Sequence, residues 1–390
     1  LSSAFPIAGG EYALVGRTLG PGPGFAILGL TVAVNMLGPA VLALGVAENL
    51  APILPGLDPT WTAEAIVAAT TVLAVLHIRT NAWVTGIFLL LELAALGALT
   101  ALGALHAQHP VGELLAHPVV AAPNGAIHPA SAAAIGLSLS VAIFVYNGFG
   151  SAVYFAEEMH EAPRAVARTI LWAGLISVLT VLTPVAAVLI GSPDLKGLIA
   201  SAHPLSTFME SVGAGWLKAP MELAVALAIG NAVLASMLQN ARFFYSSGRD
   251  EAWHPAINAA FQATHPRFDS PWIATLAAGA SAMLMCFVGL DRLLVLTGAG
   301  LAFTYAAMCL AAIAGRRNRT SAEAAWRMPL ATVVSGLGLL GSAYALWAEW
   351  QDASVGRLSL VATAAFLAVS MIYYGAVVRR RGAWTIRDPV

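Results

Sequence analysis

About ten runs of roughly 20 apolar residues follow one another along this chain, and that is the length an α-helix needs to cross about 30 Å of hydrocarbon. They fall near 24–47, 62–78, 82–105, 131–156, 168–191, 220–246, 272–289, 292–314, 329–348 and 356–378. Few folds accept such a pattern. Inside a bilayer every backbone N–H and C=O must be bonded within the protein, which leaves helices as the spanning element for runs this long. The second and seventh runs are short and call for interfacial residues or local thinning to reach across. Turn signals separate the runs at Pro52–Pro59, Arg79–Asn81, Pro118–Pro129 and Gly289–Arg292. The longest non-apolar stretches, 106–129, 192–218 and 247–271, are too small to form a separate soluble domain.

Composition agrees. Of 390 residues, 59% are hydrophobic and only 10% charged, whereas a soluble domain carries roughly 25% charged residues. The deficit runs along the whole length, so the expectation is an all-α polytopic membrane protein, residues 1–390 forming one transmembrane domain of about ten spans. A net charge of −1 provides no global field for nucleic acid. Cys286 and Cys309 both lie in apolar runs and read as small buried hydrophobes rather than a disulfide. The chain opens on Leu1 with no charged leader before an apolar core, and reads as starting within a longer sequence.

Basic residues orient the bundle. With the residues before the first span in the cytoplasm, only Lys196, Lys218, Arg292 and Arg357 fall outside. The other 15 of the 19 basic residues, from Arg17 to Arg387, fall on the cytoplasmic side. Both ends of the chain are then cytoplasmic, and the expected location is the plasma (inner) membrane.

One span is interrupted. Phe144-Val145-Tyr146-Asn147-Gly148-Phe149-Gly150 places Asn and two Gly within four residues of an otherwise apolar helix. That is a costly way to make a simple bend. A break at membrane depth frees carbonyls and amides, and must sit inside protein or line a cavity. Discontinuous helices of this kind form solute and ion sites in secondary transporters.

Three stretches resemble the amino acid–polyamine–organocation superfamily of permeases. Phe5-Pro6-Ile7-Ala8-Gly9-Gly10-Glu11-Tyr12, followed by Leu19-Gly20-Pro21 and Gly24-Phe25, is similar to the family's Pro-x-x-Gly-Gly-x-Tyr signature. The broken span with Ala156-Glu157-Glu158 and Ala162-Pro163-Arg164 resembles the family's sixth helix and following loop. Asn240 to Asp250, with Arg242 and Gly248-Arg249-Asp250, then His265-Pro266-Arg267 and Ser270-Pro271, resembles the end of its eighth helix. The three lie in order and cover nearly the whole chain. The resemblance implies a five-plus-five inverted repeat followed by two C-terminal helices. In that register the ten runs are family helices 3 to 12, and residues 1–12 are the tail of helix 2. The fold is then incomplete at the N-terminus, lacking family helix 1 and most of helix 2.

Candidate residues follow from both readings. For substrate binding they are Phe144, Val145, Tyr146, Asn147, Gly148 and Phe149, with Asn35 on a neighbouring span. By resemblance Phe144 matches the family's aromatic gate. Glu92 sits mid-span in Leu89-Leu90-Leu91-Glu92-Leu93, where an acid costs about 2.5–3.5 kcal/mol on insertion scales. It is the candidate for proton handling, against a structural carboxyl paired between helices. Many family members carry a Lys roughly one turn earlier, so Glu92 is not carried over directly. Ser236 is a candidate for ion contact, but Ala235 beside it offers no second hydroxyl, which favours proton coupling or exchange over sodium. Asn231 and Gln239 join these as polar residues expected to pack around the break, with interhelical hydrogen bonding as the plainer role. Glu157, Glu158, Arg242 and Arg249 are gate candidates at the cytoplasmic face, or else a solvated rim.

Other patterns carry less. Gly16 to Gly24 has no preceding strand, so phosphate binding is disfavoured. His106, His109, His117 and His128 crowd one external loop and read as an ordinary polar loop rather than a metal site. Glu157-Glu158-Met159-His160-Glu161 lacks the two-His spacing of a zinc protease. His265 and Asp269 have no nucleophile partner in view, and no enzyme constellation is found. The expected function is secondary transport of amino acids or related amines by alternating access, proton-coupled or by exchange. No cofactor, metal or nucleic-acid partner is expected; the partners are the small-molecule substrate, a proton and the lipid bilayer. The alternative is a non-transporting membrane sensor or assembly partner on the same fold.

Overall fold

A computed structural model describes residues 1–51, 53–76, 78–122, 126–201, 203–353, 355–382 and 384–387, with 78–80 described by backbone alone. Pro52, the middle of the Pro118–Pro129 turn and the Arg79 side chain therefore lie outside the described residues.

The helices in chain order are α1 (Glu11–Leu19), α2 (Pro21–Leu50), α3 (Pro59–Val75), α4 (Ile78–Leu105), α5 (Val111–Ala116) and α6 (Ala132–Val145). After a 3₁₀ segment, Phe149–Glu158, come α7 (Ala162–Gly191), α8 (Leu195–Ala200), α9 (Pro204–Ser211) and α10 (Lys218–Arg249). The chain ends with α11 (Pro255–Phe261), α12 (Trp272–Cys286), α13 (Leu290–Arg317), α14 (Ala331–Gln351) and α15 (Gly356–Tyr373), the last running into a π turn, Tyr374–Val378. Among the described residues 8 helices are long and apolar enough to cross a membrane, and α3 and α12 are shorter apolar helices. Those two are the runs whose shortness was legible in the sequence.

Local chemistry sets the boundaries. The Asp58 side chain accepts from the Trp61 N–H at the start of α3, with Pro59 in the first turn. Ser131 caps α6 in the same way through the Ala134 N–H. Pro39 lies inside α2 and Pro184 inside α7. Each removes a hydrogen-bond donor, which helix neighbours in a bundle tolerate.

α2 sits at the centre, packed against α1, α3, α10, α12, α13 and α15. Its buried face meets Tyr12, Met237 and Phe243 in one continuous apolar core. The exteriors of α4 and α7 are apolar as well: Trp83 is 76% exposed and Leu90 is 70% exposed. A helix apolar on all sides belongs in lipid.

The loop between α4 and α6 is more ordered than a bare polar turn. It carries α5 and a short antiparallel hairpin, β1 (Val119–Ala121) with β2 (Ile127–Pro129), in which Val120 pairs with His128. The Pro-x-x-Gly-Gly-x-Tyr stretch leads into α1, nine residues spanning about 13 Å, too short to cross a bilayer. Gly10 has φ 66°, and a Cβ there would lie 2.4 Å from the Tyr154 ring. The second glycine of the motif thus lets this segment close against the broken span.

Candidate functional site

The interruption falls where the sequence places it. α6 ends at Val145, residues 146–148 form a turn, and the chain resumes at Phe149. It resumes as a ten-residue 3₁₀ helix rather than an α-helix. Runs of 3₁₀ longer than a few residues are uncommon, because their hydrogen bonds are poorly aligned. Gly148 has φ 111° and ψ −23°, a left-handed conformation that L side chains avoid.

The turn rearranges the backbone bonding. The Asn147 N–H donates to the Phe144 carbonyl at 3.0 Å, and the Ser151 N–H donates to the Gly148 carbonyl at 2.9 Å. Among the described residues, no backbone amide donates to the carbonyls of Tyr146 or Asn147. Two consecutive acceptors are therefore left open at one point of an apolar helix, and acceptors at membrane depth need partners.

α13 supplies the facing wall. The Tyr305 hydroxyl donates to Asn147 Oδ1 at 2.8 Å. The Tyr305 ring also lies 6.3 Å from that of Phe149. Tyr305 escaped sequence reasoning, since a single Tyr in an apolar span gives no local signal. Phe144 is half-buried against the main core, while Asn147 and Gly148 are exposed.

The polar residues on neighbouring spans do several different things. Gln239 Oε1 accepts from the Ser151 hydroxyl, tying α10 to the 3₁₀ segment just below the break. Asn35 is buried; its carbonyl accepts from Asn240 Nδ2 at 2.8 Å, and its own Nδ2 has no partner among the described residues. Asn231 Nδ2 donates to the Thr85 carbonyl at 3.3 Å, a link between α10 and α4. The Ser236 hydroxyl donates to the Ala232 carbonyl of its own helix at 2.6 Å. Glu92 is half-buried on α4, which packs mainly on α7 and α10, and no hydrogen bond among the described residues joins it to the break.

The four charged gate candidates do meet. Arg249 Nη1 donates to both oxygens of Glu157, at 2.8 and 2.9 Å. Arg242 Nε donates to Glu158 Oε1 at 2.6 Å, and its guanidinium lies 4.2 Å from the centre of the Phe155 ring. Glu157 also accepts from the Ala8 N–H at 2.9 Å. The 3₁₀ segment is thus clamped at once to α10 and to the residues before α1. Beside the clamp lies a cavity of about 240 Å³ lined by Tyr154, Glu157, Arg242, Tyr245 and Asp269.

A second polar cluster backs these ion pairs. The Tyr12 hydroxyl donates to Asp250 Oδ2 at 2.8 Å, and the Arg387 N–H donates to Asp250 Oδ1 at 3.1 Å. Burial pushes the Asp250 carboxyl above its ordinary range, against these hydrogen bonds and Arg249, which pull it down. The Tyr154 hydroxyl donates to Glu11, whose carboxyl is also raised, chiefly by burial. Glu11 and Asp250 were visible within the motifs, but their pairing with tyrosines from other elements was not. A further buried acid, Glu349 on α14, was also missed. It is fully buried, and neither carboxyl oxygen has a hydrogen-bond partner among the described residues. The Ser140 hydroxyl approaches it from α6 without reaching bonding geometry.

Comparison with known proteins places these features in context. The sequence matches the family described as "Amino acid permease" over residues 1–377. A curated relative, "Branched-chain amino acid permease BcaP" of Bacillus subtilis (strain 168), is 22% identical over 236 residues, covering 60% of this chain and 48% of that protein. The protein of the same name from Lactococcus lactis subsp. cremoris (strain MG1363) is 22% identical over 367 residues, covering 89% of this chain and 77% of that protein. The matched segment thus spans about half the length of the first relative and about three quarters of the second.

Proposed function

The chain belongs to the amino acid permease family, and from that premise we propose that it is a multi-pass membrane transporter that carries neutral amino acids by alternating access. The observation that carries this reading is the pair of open carbonyls at Tyr146 and Asn147. Carbonyl dipoles with no amide partner suit a substrate ammonium, which has three donors to place. Tyr146 and Asn147 are the polar side chains of the 144–150 segment, and neither carries a carboxylate. A second cation on the substrate would find no counter-charge there, whereas Phe144, Val145 and Phe149 suit an apolar side chain. The two relatives named for branched-chain amino acids support the same class.

The ion-paired clamp at Glu157–Arg249 and Glu158–Arg242 lies on the basic side of the bundle. By the positive-inside rule that side is cytoplasmic. Closed as described here, the clamp bars the route from the break to the cytoplasm, and its release would open it. Coupling is assigned to proton uptake or exchange, with Glu92 handling the proton. Transport, rather than catalysis, is the activity, and no cofactor is required.

The test is uptake of radiolabelled leucine into proteoliposomes. Gly148→Leu is expected to abolish uptake while the protein still inserts and purifies as the parent does. Uptake unchanged by that substitution would overturn the assignment of the site.

A further inference from the structure

A large open cavity lies away from the break, at the basic end of α7. Its volume is about 970 Å³, and α7 faces the loop between α13 and α14 across it. Arg164 and Arg168 stand one turn apart on its α7 wall, with His160 just before them. Trp172 and Leu175 continue the same face of α7. Trp326 forms the opposite side.

The two arginines do no visible structural work. Both are exposed, and among the described residues no carboxylate or carbonyl engages either guanidinium. Basic residues in the first turns of a helix also oppose its dipole, so helix stability does not explain them. Glu161 is the one acid at the rim, set against two arginines and a histidine.

The opposite wall is held in place. The Trp326 N–H donates to the Ser3 hydroxyl at 2.9 Å, and Arg316 Nη2 donates to the Met328 carbonyl. The cleft is therefore defined by fixed backbone on both sides.

Above the charges the wall turns apolar. Trp172 is 54% exposed and Leu175 is 50% exposed. They lie two and three turns from Arg164, about 12 and 16 Å further along the helix. A soluble anion has no use for that apolar stretch. A molecule with an anionic head and a hydrocarbon tail matches both halves, and basic clefts between spans on the cytoplasmic side recognise such headgroups.

We propose that the cleft between the start of α7 and the α13–α14 loop binds an anionic phospholipid of the cytoplasmic leaflet. Arg164 and Arg168 hold its phosphate, and Trp172 and Leu175 flank its acyl chain. The inference rests on the placement of the bundle in the bilayer and is independent of the substrate site.

The experiment uses the full chain in nanodiscs of phosphatidylcholine with graded phosphatidylglycerol, and reads bound lipid by native mass spectrometry after release. The wild-type chain is expected to retain phosphatidylglycerol in preference to phosphatidylcholine. The double variant R164Q/R168Q should weaken that retention about thirtyfold, on the basis of the usual contribution of each arginine at an anionic surface. The control R379Q/R380Q, which removes two exposed charges elsewhere, should leave it unchanged. Equal retention by R164Q/R168Q and wild type would overturn the proposal. So would an equal loss in the control, which would mean general surface charge. Displacement of the lipid by glycerol phosphate alone would overturn it too, since the apolar wall would then be idle.

Discussion

Two glycines flank Phe149, and they are expected to respond oppositely to the same substitution. A Cβ added at Gly148 meets nothing within 4 Å, and a Cβ added at Gly150 likewise meets nothing. Sterics therefore cannot separate them. Backbone conformation can: Gly148 has φ 111°, while Gly150 is absent from the positive-φ glycines. Alanine at either position restricts the unfolded chain equally, worth about 0.4–1 kcal/mol in favour of folding. That contribution cancels when the two variants are compared. What remains is the left-handed penalty at 148, about 1–2 kcal/mol. Gly148→Ala should thus lose stability against Gly150→Ala by about that amount, a shift of about 1–2.5 °C in a thermal scan of a 390-residue chain.

The same penalty acts on the site. If the turn relaxes toward a continuous helix, amides return to the open carbonyls and the ammonium loses its acceptors. A penalty of about 1–2 kcal/mol is about 5- to 30-fold in the population that keeps the turn. Leucine binding by scintillation proximity on purified protein reads that population directly. Gly148→Ala should weaken apparent affinity by this factor, while Gly150→Ala stays near the parent value. Equal affinities and equal melting for the two alanine variants would refute the reasoning, since no other difference between the sites would account for a gap.

Further outcomes follow from the surroundings of the break. Arg249→Gln leaves Glu157, whose side chain is 21% exposed, with the Ala8 amide as its remaining partner here. The cost is about 3 kcal/mol, and adding Glu157→Gln should recover part of it, read as non-additivity in a double-mutant cycle of melting temperatures. Tyr305→Phe removes one hydrogen bond to Asn147 and should cost about 1 kcal/mol, seen as a few-fold loss in leucine affinity with little change in melting. The raised Asp250 carboxyl favours the protonated form in the fold. Its contribution is therefore complete below the unfolded value of 3.8 and is lost as pH rises through the folded value. Asp250→Asn should gain on the wild type as pH increases across that window, and parallel melting curves from pH 4 to pH 8 would contradict it. Glu349→Met replaces a buried carboxyl lacking hydrogen-bond partners and should stabilise the chain by about 1–3 kcal/mol in detergent melts.

What could be read from the sequence divides along a physical line. Spans, their ends and the break depend on local properties: run length, capping residues, and the cost of Asn and Gly in a helix. The long helices α2, α3, α4, α6, α7, α10 and α12 to α15 accordingly follow the runs that announce them, whereas the short α5, α8, α9 and α11 had no run to announce them. The meeting of Glu157, Glu158, Arg242 and Arg249 was also legible, because they are too polar for their setting and carry opposite charges. Pairings that depend on tertiary approach were not. Nothing in Ala302–Thr304–Tyr305 says that its hydroxyl will reach Asn147, 158 positions earlier. The 3₁₀ form of Phe149–Glu158 was hidden for a related reason. Its composition suits an α-helix, but four side chains of this segment are held from outside: Ser151 by Gln239, Tyr154 by Glu11, Glu157 by Arg249 and Glu158 by Arg242. A 3₁₀ helix rises about 2.0 Å per residue against about 1.5 Å for an α-helix, so ten residues span about 5 Å more. That extra length carries Glu157 and Glu158 down to the arginines near the end of α10 while Asn147 stays at Tyr305. Rewinding the segment to α would shorten it by about one helical turn, and the clamp and the break could no longer both hold their partners. The break and the ion pairs are therefore the two ends of one stretched element. A change in either anchor would be felt at the other, which suits the proposed alternating access.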